Sequence, residues 1–178
     1  MGDKDMAETK RTVRLKGEPL RLSGPELRVG QKAPDFKLLA KDFAEVQLSQ
    51  SRGKVRLLSV VNSLDTQVCD LQTQRFEQEA ARFADVVIYA ISMDLPFAQA
   101  RYCGAHNIKS LQTLSDHLDA SFGRAYGVLI EELRLLSRAI FVIDRNDIVR
   151  YVEYVPEVTQ HPDYDKAIKA LKDLVSPG

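Results

Sequence analysis

The stretch Ser63–Leu64–Asp65–Thr66–Gln67–Val68–Cys69 constrains this chain more than any other. It joins an apolar, β-branched run over residues 54–61 to a segment over residues 70–83 that holds neither glycine nor proline. The first reads as a buried strand and the second as a helix. Asp65 or Thr66 is a natural N-cap, since its side-chain oxygen can accept from the free N–H groups of the first turn. Cys69 then falls at or near the third helical residue, among unpaired N–H groups at the positive end of the helix dipole. A sulfur in that place is biased toward thiolate, the nucleophilic form.

The rest of the chain supplies partners for this unit. Residues 12–16 and 19–23 alternate about Gly17–Glu18 and read as a small hairpin. Residues 33–39 and 45–49 read as extended segments around a loop, and residues 85–91 as a second buried strand. Pro96 suits the first position of a helix over residues 97–106, which carries Cys103 in its last turns. Residues 111–114 form a short strand, and residues 119–126 a short helix ended by Gly127. Strands over 139–143 and 148–152 are joined by the tight turn Asp144–Arg145–Asn146–Asp147. Residues 163–175 make an amphipathic helix with Tyr164, Ile168, Leu171 and Val175 on one side. Alternating strands and helices, then a hairpin and a closing helix, give an α/β fold with a mixed central sheet flanked by helices. That order suits a thioredoxin-like fold with an N-terminal β-hairpin extension. Residues 1–11 are expected to be a flexible polar tail and residues 12–178 a single domain.

Size and charge narrow the function. At 178 residues there is enough chain for one well-filled core and too little for two. Twenty-five basic residues balance twenty-five acidic ones, so the chain lacks the basic footprint of a nucleic-acid binder. No apolar run approaches the roughly 18 residues of a membrane span. The charged opening has no apolar h-region, and Met6 stands where myristoylation after Gly2 would want Ser or Thr. The cytoplasm is the expected compartment.

In a reducing compartment the two cysteines, Cys69 and Cys103, are inert core residues, ligands or a redox pair. Helical spacing from Cys69 gives Thr73, Phe76, Ala80 and Phe83, a core-like face on which a small apolar Cys69 would be unremarked. A reactive Cys69 demands more. A free thiol with a pKa near 8.5 is about 3% thiolate at pH 7, and bringing one to about 6 takes about 3.4 kcal/mol. A helix N-terminus supplies about 0.3–1 kcal/mol, at most about 2. A nearby cation or hydroxyl donor is therefore required. Thr66 is one candidate donor, unless it merely caps the helix; spacing alone does not pick the cation. Cys103 lies across one helix and one strand, far from a Cys-x-x-Cys arrangement, so the two sulfurs can meet only if their helices unwind locally. Cys103 and His106 have ligand-like spacing, but a closed zinc site needs four ligands and only His117, His161 and Cys69 remain. No metal or other cofactor is expected.

Three longer motifs carry a resemblance. The Ser63–Cys69 stretch, Met93–Asp94–Leu95–Pro96–Phe97–Ala98–Gln99–Ala100–Arg101–Tyr102–Cys103–Gly104, and Arg138–Ala139–Ile140–Phe141–Val142–Ile143–Asp144 resemble the bacterial thiol peroxidases, which are atypical two-cysteine peroxiredoxins. The likeness extends to Val155–Pro156–Glu157–Val158–Thr159 and Pro162–Asp163–Tyr164. It implies that Cys69 is the peroxidatic cysteine and Cys103 the resolving cysteine of an intramolecular disulfide. Thr66 would hydrogen-bond the sulfur and the peroxide, and Arg138 would be the missing cation. It further implies hydrogen peroxide and organic hydroperoxides as substrates, thioredoxin as reductant, a homodimer, and an antioxidant role. The chain departs from the family at Asn62, where a proline shields the sulfur in Pro-x-x-x-Thr-x-x-Cys; Asn62 is expected to loosen the turn or admit water. Two rival readings are a redox sensor that stalls after one oxidation and a binding module with inert cysteines.

Overall fold

A computed structural model describes residues 11–175. The tail expected over residues 1–11 lies outside the described residues apart from Arg11. The Arg11 guanidinium donates to the Gly127 carbonyl at 2.7 Å, and its carbonyl accepts from the Leu22 N–H. β1 (Thr12–Leu15) and β2 (Glu18–Ser23) pair antiparallel as the first hairpin. The turn falls on Lys16 and Gly17, one residue earlier than the alternation indicates, with φ of 50° and 85°. Two consecutive left-handed residues are what a two-residue type I′ connection needs.

Next come β3 (Lys37–Ala40), β4 (Glu45–Gln47), a 3-10 turn (Leu48–Ser51) where extended chain was expected, and β5 (Val55–Val60). They are followed by α1 (Gln67–Arg82), β6 (Val86–Ser92), α2 (Pro96–Ala105), β7 (Gln112–Ser115) and α3 (Ser121–Ala125). Two short strands, β8 (Leu129–Ile130) and β9 (Leu135–Leu136), precede β10 (Ala139–Ile143), β11 (Val149–Tyr154) and α4 (Tyr164–Val175).

Seven strands form one mixed sheet in the order β11-β10-β5-β6-β7-β3-β4. β5, β6 and β7 run parallel, whereas β10 is antiparallel to β5 and to β11. Every residue of β5 is buried, and its alternate side chains feed two cores, as a period of two requires. Val55 and Leu57 pack with Phe76 of α1, Tyr102 of α2 and Leu171 of α4. Leu58 and Val60 pack with Phe36, Phe122 and Tyr126 on the opposite face. The helices that carry both cysteines therefore lie on one side of the sheet, next to α4.

β8 and β9 were not visible in the residue pattern, because two-residue strands are too short to show a period. They extend the N-terminal hairpin into a second sheet, β1-β2-β8-β9. Close backbone approach seats it: a Cβ on Gly127 (φ 67°) would lie 2.0 Å from the Pro25 carbonyl oxygen. This is a contact only glycine tolerates.

α3 is held by a buried acid. The Asp116 carboxylate accepts from the N–H groups of Phe122 (3.2 Å) and Gly123 (2.8 Å). Burial pushes this carboxyl up to about 6, against the pull of those two N–H groups. A folded-state value above the unfolded one favours the protonated form, so its contribution is complete below about pH 4 and is lost as pH rises through about 6. Asp144 and Asp147 act with the opposite sign and at lower pH: burial pushes each up, but bonds from Ile148, Asn146 and Arg150, and from Arg56 and Arg52, outweigh it. In denaturant titrations the protein should lose about 1–2 kcal/mol between about pH 5 and pH 8 relative to Asp116→Asn. Parallel curves for the two proteins would show that Asp116 does not titrate in that range.

Candidate active site

Val60 ends β5, and residues 61–66 lead into α1 with Thr66 at the N-cap. The hydroxyl of Thr66 does not cap the helix; it donates to the Ser63 carbonyl at 3.0 Å, and Thr66 is exposed. In this form it does not reach the sulfur, so the hydrogen bond to Cys69 that the resemblance implied is not made. The turn is anchored instead by Asp94, just past β6. Its carboxylate accepts from the Ser63 hydroxyl (2.7 Å), the Leu64 N–H (2.8 Å) and the Ser92 hydroxyl (2.7 Å). A charged acceptor with three short bonds fixes a loop more firmly than one neutral cap.

Cys69 is the third residue of α1 and is completely buried. Its Sγ accepts from Arg138 Nη1 at 3.2 Å and lies 3.7 Å from Asn62 Oδ1. Arg138 comes from the residue just before β10, which the sheet order places beside β5. Only 1% exposed, the guanidinium also donates to Gln72 Oε1 (2.8 Å), Asn62 Oδ1 (3.2 Å) and the Val158 carbonyl (2.8 Å). Those three acceptors are uncharged, so the positive charge is oriented by them without being neutralised. An anionic sulfur at 3.2 Å would be attracted by about 5 kcal/mol at an effective dielectric near 20.

The Asn62 amide is hydrogen-bonded at both ends. It is 4% exposed, its Nδ2 donates to the Leu136 carbonyl, and its Oδ1 accepts from Arg138. The amide thus ties the turn to β9, a strand that spacing did not reveal. Gln72 has no mark in the sequence beyond its place one helical turn after Cys69. It spans Arg138 and the Ser59 hydroxyl, to which its Nε2 donates at 2.8 Å.

Cys103, near the end of α2, is likewise buried and free. Its Sγ sits 3.6 Å from Thr113 Oγ1 on β7. The two sulfurs therefore rest on different supports: Asn62 follows β5, and β7 is two places away in the sheet, a spacing of about 10 Å. His106 stacks on Tyr102 at 4.3 Å. Among the described residues no cluster of three or more His, Cys, Asp or Glu side chains could hold a metal ion.

A central mixed sheet with a buried thiol at a helix start, set against a buried guanidinium, defines a redoxin of thioredoxin-like fold. The Redoxin family matches residues 28–168. The chain is 57% identical over 161 residues to the thiol peroxidase of Halalkalibacterium halodurans, covering 90% of this chain and 97% of that protein. It is 55% identical over 163 residues to the thiol peroxidase of Bacillus subtilis, covering 92% and 98%. Among solved structures it superimposes on a peroxiredoxin-like protein from Aquifex aeolicus with a TM-score of 0.87 at 40% identity, covering 93% of this chain and 98% of that one. The chain belongs to the thiol peroxidases, a family of peroxiredoxins, and is a thiol-dependent peroxidase. Among the described residues no helix is long and apolar enough to cross a membrane.

Proposed function

We propose that Cys69 attacks hydrogen peroxide and organic hydroperoxides, that Cys103 resolves the product as an intramolecular disulfide, and that thioredoxin reduces that disulfide. The observation that carries this reading is the 3.2 Å contact between Arg138 Nη1 and Cys69 Sγ. In the first step the Cys69 thiolate forms a bond to one peroxide oxygen while the O–O bond breaks. The departing oxygen takes up the proton that the thiol released on ionising and leaves as water or an alcohol, and Cys69 becomes a sulfenic acid. Arg138 holds the anionic sulfur and offers a donor to the oxygen as charge develops on it. Cys69 lies beneath a turn in which Asp65, Thr66 and Gln67 are exposed, and peroxide enters as that turn gives way. Once it has moved, the Thr66 hydroxyl is free to exchange Ser63 for the peroxide. A homodimer in the cytoplasm belongs to the same reading. Phe43 and Phe97, both exposed and 5.0 Å apart, offer apolar surface for the second copy.

Reduced protein treated with one equivalent of hydrogen peroxide should lose two hydrogens by intact mass, and thioredoxin with its reductase should restore them. In Cys103→Ser the same treatment should add one oxygen instead. An unchanged mass in the wild-type protein would refute the cysteine assignment. A disulfide that thioredoxin leaves untouched would refute the reductant.

A further inference from the structure

The two cysteines are each flanked by a residue that grips the other's helix. Asp70 follows Cys69 on α1, and Tyr102 precedes Cys103 on α2; the Tyr102 hydroxyl donates to Asp70 Oδ1 at 2.6 Å. Gln74 Nε2 donates to the same oxygen at 2.8 Å and lies 3.5 Å from His106 Nδ1. One turn on, the Glu77 carboxylate accepts from the N–H groups of Lys109 (2.7 Å), Ser110 (2.8 Å) and Leu111 (2.8 Å), just beyond α2. Burial and the Asp70 carboxylate together push the Tyr102 phenol well above its ordinary range, so it remains a donor. Burial pushes Asp70 up, but the bonds from Tyr102 and Gln74 and the His106 ring outweigh it and keep it below the ordinary carboxylate value. The bond is therefore charge-assisted at neutral pH.

A disulfide needs Cα atoms about 4.4–6.8 Å apart, whereas Cys69 and Cys103 rest on Asn62 and on Thr113 of β7. The turns that carry them must unwind before the sulfurs meet. Unwinding either turn displaces Asp70 or Tyr102 and so works against the bond between them. Local opening of this kind has its own free-energy cost, which the contacts across the opening element set.

We propose that Asp70 and Tyr102, supported by Glu77, form a clasp between α1 and α2 whose opening sets the rate at which Cys103 reaches oxidised Cys69. This rests on the two-cysteine reading above. The clasp governs a choice between two reactions of the Cys69 sulfenic acid. In one, the Cys103 sulfur attacks the Cys69 sulfur, the S–S bond forms, the S–O bond breaks, and the hydroxyl leaves as water with the Cys103 proton. In the other, a second peroxide molecule delivers another oxygen to Cys69, its own O–O bond breaks, and a sulfinic acid results with release of water or an alcohol. A tight clasp lengthens the life of the sulfenic acid and favours the second course when peroxide is abundant.

The deciding variant is Tyr102→Phe, which keeps the ring on His106 and removes only the hydroxyl. Reduced protein is mixed with one equivalent of hydrogen peroxide, quenched at intervals, and its sulfenic acid and disulfide are followed by mass. Disulfide formation should accelerate about five- to tenfold, with the rate of Cys69 oxidation unchanged. At excess peroxide the sulfinic fraction should fall several-fold. Glu77→Gln leaves the phenol bond intact and should act in the same direction more weakly; it decides the matter if Tyr102→Phe does not fold. An unchanged or slower disulfide step in the deciding variant overturns the clasp while leaving the two-cysteine reading intact. A wild-type protein that forms no disulfide overturns both.

Discussion

Cys69→Ser should fold as the parent does and lose peroxidase activity by a factor on the order of 10⁴ or more. The substitution is nearly isosteric, and the hydroxyl can occupy the same contacts, donating toward Asn62 Oδ1 and accepting from Arg138. The completely buried site thus keeps its hydrogen bonds, and the unfolding midpoint should stay close to that of the parent. The chemistry does not survive. A serine hydroxyl is un-ionised at neutral pH even beside a guanidinium, and its hard oxygen is a poor nucleophile toward a peroxide O–O bond. Peroxide consumption in the presence of thioredoxin and its reductase is the measurement. Activity retained to within tenfold would mean that the thiol at position 69 is not the nucleophile.

The main sheet and the helix that carries Cys69 were legible because long periodic segments report their own environment. The buried run ending at Val60, the helix over Gln67–Arg82 and the closing hairpin all lie within a residue or two of where the pattern put them. Elements specified by a partner were illegible. β8 and β9 exist because β2 offers a free edge, and nothing in four leucine and isoleucine residues states that. The same distinction divides the site. The position of Cys69 at a helix start followed from the turn and the residues after it. What holds that turn did not: local chemistry pointed to Asp65 or Thr66 as a cap, whereas Asp94, distant in sequence, supplies three bonds. The energy requirement for a thiolate showed that a cation was missing, but only the resemblance pointed to Arg138. Its neighbours Gln72, Asn62 and the Val158 carbonyl meet through the sheet order rather than through spacing.

Arg138→Met should lower the rate of peroxide reduction by about 10²–10³, the usual cost of removing one preorganised donor from developing charge. It should also move the pH at which the rate reaches half its plateau upward. The sign follows from which form the guanidinium favours. A cation 3.2 Å from the sulfur attracts its anionic form, so a variant without the cation needs a higher pH to reach the same fraction of its plateau. The variant also leaves Gln72 Oε1, Asn62 Oδ1 and the Val158 carbonyl without their donor in a buried place, which should cost about 1–3 kcal/mol of stability for each acceptor left unmet. That loss alone would reduce the amount of folded enzyme and leave the pH profile where it was. Arg138→Lys separates the two effects. It restores the charge without the fork that reaches four acceptors, so it should recover most of the shift in pH but only part of the rate. Rates of Cys69 alkylation and of peroxide reduction between about pH 5 and pH 9 give both quantities. A profile for Arg138→Met that superimposes on the parent's, at whatever rate, would exclude Arg138 as the group that favours the reactive sulfur.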